Sequence, residues 1–95
     1  MVMNKKYKIV QTKEFKRYLK LLKKRAYDID KLNYVVDILA SGKRLPRKYN
    51  DHALQGDYKG YRECHIANDW LLMYQIDNGL LILLLSRTGT HSDLF

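Results

Sequence analysis

Ninety-five residues suffice for one core, and a single domain is expected over residues 1–95. With 46% hydrophobic and 12% aromatic residues and one proline, the composition is that of a folded chain and excludes a largely disordered one. The net charge is +8 and unevenly placed: residues 1–50 hold 15 Lys and Arg against 4 acids, residues 51–95 hold 3 against 6. Such density in the first half suits a polyanionic partner, nucleic acid or an acidic protein, although lysines that merely solvate helix faces give the same count. Cys64 stands alone, so no intramolecular disulfide can form, and MVMNKKYKIV has no apolar stretch of signal-peptide length. Both point to the cytoplasm. The run LLILLL, Leu80 to Leu85, is far shorter than the roughly 20 residues that cross a bilayer, so no membrane is expected.

In chain order, Tyr7 to Gln11 is rich in β-formers and reads as a strand, after which Thr12 can cap a helix with Glu14 in its first turn. Phe15, Tyr18, Leu19 and Leu22 fall at helical spacing and leave Lys20, Lys23 and Lys24 to the other faces. Asp28 or Asp30 can begin a second helix with the stripe Leu32, Val35, Val36 and Leu39, and Gly42 sits where a helix C-cap belongs. The two make a helical hairpin. A loop follows with a basic cluster, Lys43, Arg44, Arg47 and Lys48, and with Pro46 and Gly56 as punctuation. Then YKGYRECHI, WLLMYQI and LLILLLSR read as three antiparallel strands, the last two joined by Asn78-Gly79 in a tight type I′ turn. The unbroken apolar run of the last strand predicts burial on both faces and a central place in the sheet. The expected class is α+β in the order β-α-α-β-β-β, a helical hairpin on a four-stranded, mainly antiparallel sheet.

Motifs for phosphate-cradling loops and nucleophile elbows are missing, and His52, His65 and His91 lack metal-ligand spacing, so no cofactor and no metal is expected. What remains is a group of ionisable and aromatic residues at predicted strand ends. His65 closes one strand, Asp69 and Trp70 open its antiparallel neighbour, and Arg87 and His91 follow the strand after that; a meander brings these ends together. Singly, each has an ordinary explanation as a solvated loop histidine or a core tryptophan. Jointly they suit metal-free cleavage of RNA. The 2′-hydroxyl must lose a proton, the 5′-oxygen must gain one, and the phosphorus between them needs cationic donors. Histidine can serve either transfer, arginine offers a fork of donors to phosphate, and rings such as Trp70 and Phe95 can stack on unpaired bases.

The segments D-H-x-L-x-G, Y-R-x-x-H-I-x-x-D-W and R-T-G-T-H-x-x-L-F, in this order within residues 49–95, resemble the YafQ branch of the RelE/ParE toxin superfamily. The resemblance implies the toxin of a bacterial type II toxin-antitoxin module: an endoribonuclease, or mRNA interferase, that cuts messenger RNA on the translating 70S ribosome without a metal. Its partner would be a cognate antitoxin that silences it, with promoter DNA met only through the antitoxin complex. By motif, His52, His65, Asp69 and His91 would handle protons and phosphate, with His91 set against His65 and Asp69, and His52 supporting. Arg87 would neutralise the scissile phosphate, Trp70 and Phe95 would hold the message, and Arg62 would be a second contact or structural. Glu63 is a further carboxylate beside them, and Cys64 a passive thiol. Lys20, Lys23, Lys24, Lys43, Arg44, Arg47 and Lys48 would grip ribosomal RNA or receive an acidic antitoxin segment. The alternatives are a ParE-like inhibitor that binds DNA gyrase without cutting RNA, and a plain RNA- or DNA-binding module.

Overall fold

Thr12 ends strand β1 (Lys8–Gln11) and starts helix α1 (Lys13–Lys24). Its Oγ1 accepts the Phe15 N–H at 3.0 Å and donates to the Ser86 carbonyl at 2.7 Å, so one side chain caps the helix and pins it to the last strand. The computed structural model describes residues 5–95; of the leader-type stretch 1–10 weighed above, residues 1–4 lie outside the described residues. Phe15 and Leu22 bury the apolar stripe of α1 while Tyr18 and Leu19 are half-buried. Asp28 caps helix α2 (Ile29–Ala40) by accepting the Asp30 N–H at 3.2 Å, and Leu32, Val35, Val36 and Leu39 are buried as their spacing predicts. No helix among the described residues is long and apolar enough to cross a membrane.

The sheet has five strands, one more than expected. The addition is β2 (His52–Ala53), which pairs antiparallel with Glu63 and Arg62 of β3 (Arg62–Ala67). Two residues between a 3-10 turn (Arg47–Tyr49) and another (Gly56–Tyr58) carry no periodicity that a sequence could display. Strands β4 (Trp70–Asp77) and β5 (Ile82–Gly89) complete the order β1-β5-β4-β3-β2, parallel only between β1 and β5.

Two expectations for the last hairpin are corrected. Asp77 pairs with Ile82, so four residues form the loop; the positive φ, 54°, falls on Leu81, not on Asn78 or Gly79 as a type I′ turn requires. Asp77 Oδ1 accepts the Leu80 N–H at 2.9 Å and closes the wider loop. The strand covered on both faces is β4, whose residues Trp70 to Tyr74 are all buried, whereas Ile82 and Leu84 of β5 remain half-buried. Strand β4 is the middle one of the five, whereas β5 has only the short parallel β1 on its outer side.

The two faces of the sheet hold different clusters. Against the helices pack Cys64, Ile66, Trp70, Leu72, Tyr74, Leu83 and Leu85. The opposite face has a small core of Leu71, Met73 and Leu94, edged by Leu54, Tyr58 and Tyr61. Leu94 comes from the C-terminal helix α3 (His91–Leu94), which lies over that face.

Candidate active site

Residues directly opposite in an antiparallel pair point to the same side. His52 opposes Glu63, Glu63 opposes Met73 and Met73 opposes Arg87, which makes one row across the open face. The next row is His65, Leu71 and Gly89. Arg87 reaches this face through a bulge. Strict alternation from Leu83 and Leu85 would send it toward the helices, but Tyr74 pairs with Leu85 and Met73 with Arg87, so Ser86 is the extra residue and reverses the phase.

Asn50 organises the two strand histidines. It ends the first 3-10 turn in the left-handed region, φ 46°. Its carbonyl accepts from His52 Nδ1 at 2.7 Å, which fixes Nδ1 as the protonated nitrogen because a carbonyl only accepts. Its amide lies 3.5 Å from His65 Nε2, and the two rings are 6.3 Å apart. His52 Nε2 faces Glu63 Oε1 at 3.6 Å, so a second proton on this ring would meet a carboxylate. Glu63 is only 7% exposed, and its Oε2 has no partner among the described residues.

The C-terminal tail forms the other side. Thr90 and Asp93 make a reciprocal capping box, Asp93 also meets Arg25 Nη1 at 3.3 Å, and Leu94 is buried. Burial alone would raise the Asp93 carboxyl, but hydrogen bonds from Thr90 and the Arg25 charge outweigh it and hold the group below its usual range. Gly89, at φ 145°, leaves the room: a Cβ there would sit 2.6 Å from Asp93 Oδ2. Asp69 Oδ1 accepts the His91 N–H at 3.1 Å and ties the β3–β4 turn to the start of α3. The His91 ring lies 5.0 Å from Phe95, which meets Tyr58 edge-on at 5.0 Å. Arg87 donates to the Leu94 carbonyl at 2.7 Å, pairs with Glu14 at 3.0 Å and has Tyr58 beside its guanidinium.

His52, His65 and Arg87 therefore share one face, with Asp69, His91 and Phe95 gathered at its end. Two expected contacts do not. Trp70 is 3% exposed, donates Nε1–H to Thr88 Oγ1 at 3.0 Å and packs edge-on against Tyr27 at 5.0 Å. It has no free ring face for a base and is a core residue. Arg62 opposes Tyr74 on the helix side and meets Asp51 at 3.3 Å, where the Tyr74 hydroxyl also donates at 2.5 Å. Burial works against the Arg62 charge, but Tyr74 and Asp51 outweigh it and raise its pKa; burial and the Asp51 contacts push the Tyr74 phenol up. This network anchors the chain just before His52 and gives Arg62 a structural part on the helix side of the sheet, where its side chain is 41% exposed. The Cys64 thiol is pushed up by burial and then by Asp51 and Glu63, as suits a passive group. Lys20, Lys23, Lys24, Lys43, Arg44, Arg47 and Lys48 are all exposed. Among the described residues no three His, Cys, Asp or Glu side chains converge to hold a metal.

Sequence reasoning missed Asn50 and the part played by Tyr58. The one signal for Asn50 was its type, since asparagine tolerates the left-handed region, directly before Asp51-His52.

Comparison with known proteins bears on this arrangement. The model of the YafQ toxin family, bacterial toxins of type II toxin-antitoxin systems, matches residues 7–95. The mRNA interferase toxin YafQ of Escherichia coli K12 is 42% identical over 83 residues, 86% of this chain and 88% of its own length. The crystal structure of the E. coli DinJ-YafQ toxin-antitoxin complex superposes with a TM-score of 0.86 at 38% identity, covering 95% of this chain and 98% of that chain. A metal-bound toxin from Helicobacter pylori gives 0.88 at 44% identity, over 94% and 99%. A match along nearly the whole chain, in sequence and in fold, makes this protein a member of the YafQ family of type II toxin-antitoxin toxins.

Proposed function

We propose that this toxin is a single-domain, cytoplasmic endoribonuclease that cuts messenger RNA on the ribosome, without a metal, until a cognate antitoxin silences it. The observation that supports it most is the set of His52, His65 and Arg87 on the open face of the sheet, with Asp69 and His91 at its end. In the reaction, a base removes the 2′-hydroxyl proton, the 2′-oxygen bonds to phosphorus, and the 5′-oxygen leaves with a proton from an acid, giving a cyclic phosphate and a 5′-hydroxyl. His91, exposed on α3, stands against His65 and Asp69 as the two sides of that transfer. His52 supports from between Asn50 and Glu63. The guanidinium of Arg87 keeps donors for the phosphate beyond those used on Leu94 and Glu14, and Phe95 offers a ring to a base. The exposed lysines of α1 and the Lys43 to Lys48 loop supply attraction to ribosomal RNA or to an acidic antitoxin segment.

Primer-extension mapping of messenger RNA in cells expressing the wild type or His91→Gln tests this, with a chelator-treated ribosome assay beside it. Discrete cuts that vanish in the variant and survive chelation are expected. Cuts abolished by chelator would reject the metal-free step, for which the metal-bound H. pylori relative is the reason to look. Growth arrest without cuts would redirect the search to gyrase.

A further inference from the structure

Behind His65 lies a groove that the cleavage chemistry leaves unused. It runs between the first turns of α2 and the β3–β4 turn, has a volume of about 780 Å³, and is walled at one end by His65 and Asn50. A second hollow of about 320 Å³ continues it past Asp69 to Thr90, sharing Lys31 and Asn68 with the first. The groove therefore borders the active site at both ends. Its volume lies in the range of roughly 300 to 1,000 Å³ typical of small-ligand sites.

The lining has a definite chemistry. Of the Phe, Tyr and Trp rings among the described residues only two are exposed, Phe95 at 46% and Tyr34 at 52%, and Tyr34 lies in this groove. Lys31 stands three residues before Tyr34 on the same helix face, and Lys48 lines the groove from the 3-10 turn. Asn50 and Asn68 bring side-chain amides. Of the two acids present, Asp28 is engaged in capping α2, which leaves Asp30 free to accept from an exocyclic amine. A ring face, two cations and amides beside a strand histidine match a nucleotide: a π-face for the base, charge for the phosphate and donors for the base edge.

We infer that this groove takes one nucleotide of single-stranded RNA flanking the scissile bond, its base on Tyr34 and its phosphate at Lys31 and Lys48. The inference rests on the nuclease reading for its substrate class. It makes Tyr34 a substrate-binding residue remote from the reacting atoms and apart from Phe95, which lies outside this groove.

The test is an amide-shift titration of the full chain with a 2′-O-methyl trinucleotide, whose blocked hydroxyl prevents cleavage. Saturable shifts at residues 31, 34, 48 and 68 are expected, with binding weakened about tenfold or more in Tyr34→Ala and retained in Tyr34→Phe. Shifts confined to α3 and β3, no shifts at all, or unchanged affinity in Tyr34→Ala would overturn it. Cleavage on ribosomes by the wild type together with a silent groove would reject this site and keep the nuclease. Groove shifts from a chain that cuts no RNA would do the reverse.

Discussion

On one side of β3 and β4 lie Cys64, Ile66, Trp70, Leu72 and Tyr74, buried under two helices; one residue along on the same strands lie Glu63, His65, Leu71 and Met73. The helix side is satisfied: its tryptophan has a hydrogen-bond partner and its tyrosine hydroxyl has Asp51. The open side leaves a buried carboxylate oxygen unpartnered and histidines half-exposed. Period-two alternation lets one strand serve both, so rigidity from the first face positions the chemistry of the second.

Neighbouring substitutions should separate the faces most sharply. His65→Ala is expected to lower single-turnover cleavage on ribosomes by about 10² to 10⁴-fold with little change in Tm. Ile66→Ala, 7% exposed on the helix side, should cost about 2 to 4 kcal/mol in urea unfolding while the folded fraction still cuts. If His65→Ala loses stability as Ile66→Ala does, the division is wrong. Gly89→Ala tests the join between them. The added methyl collides with Asp93, in a backbone region alanine rarely adopts, at an expected cost of about 1 to 3 kcal/mol. Hydrogen exchange should rise over residues 90–95, cleavage should fall with the tail, and β3 and β4 should stay protected.

How much of this was legible from the chain depended on whether the signal was local. Helical stripes such as Leu32, Val35, Val36 and Leu39 are set by spacing and could be read directly. Thr12 announced its helix by type and position. The pairing of His52 with Glu63 could not be read, because a two-residue strand has no period. Nor could the bulge at Ser86, which emerges only when β5 is laid against β4. It decides the face of Arg87, and counting along LLILLLSR by twos puts that arginine on the wrong side. Trp70 was ambiguous in the same way: a tryptophan opening an apolar strand packs inward or offers its ring according to its face, and Thr88 across the sheet takes its N–H.

The two aromatic residues once expected to share a role should now come apart. Trp70→Phe removes a buried hydrogen bond and leaves Thr88 short of a partner, at about 1 to 3 kcal/mol of stability, with RNA affinity unchanged. Phe95→Leu, on an exposed terminal ring, should leave the unfolding free energy within about 0.5 kcal/mol of wild type. It should weaken binding to a stalled ribosome–messenger complex by the roughly 1 to 3 kcal/mol of one stacked base. Equal affinity losses in both variants would return Trp70 to the binding surface.

The smallest expected effect is an acid-dependent loosening of the tail. Asp93 is held below its usual carboxyl range in the folded chain, so its contribution is fully present above its unfolded value of about 3.9 and disappears as pH falls through the lower folded value. At neutral and mildly acidic pH α3 should stay docked. As pH falls through that lower folded value, a protonated Asp93 still accepts from Thr90 but no longer attracts Arg25, and residues 90–95 should loosen before the sheet does. Amide shifts followed from pH 6 to pH 2 check this. Asp93→Asn should show the acid-form tail at pH 6, because an amide keeps the acceptor and loses the charge; a tail equally ordered in Asp93→Asn would assign its docking to Leu94 and the Arg87 hydrogen bond alone.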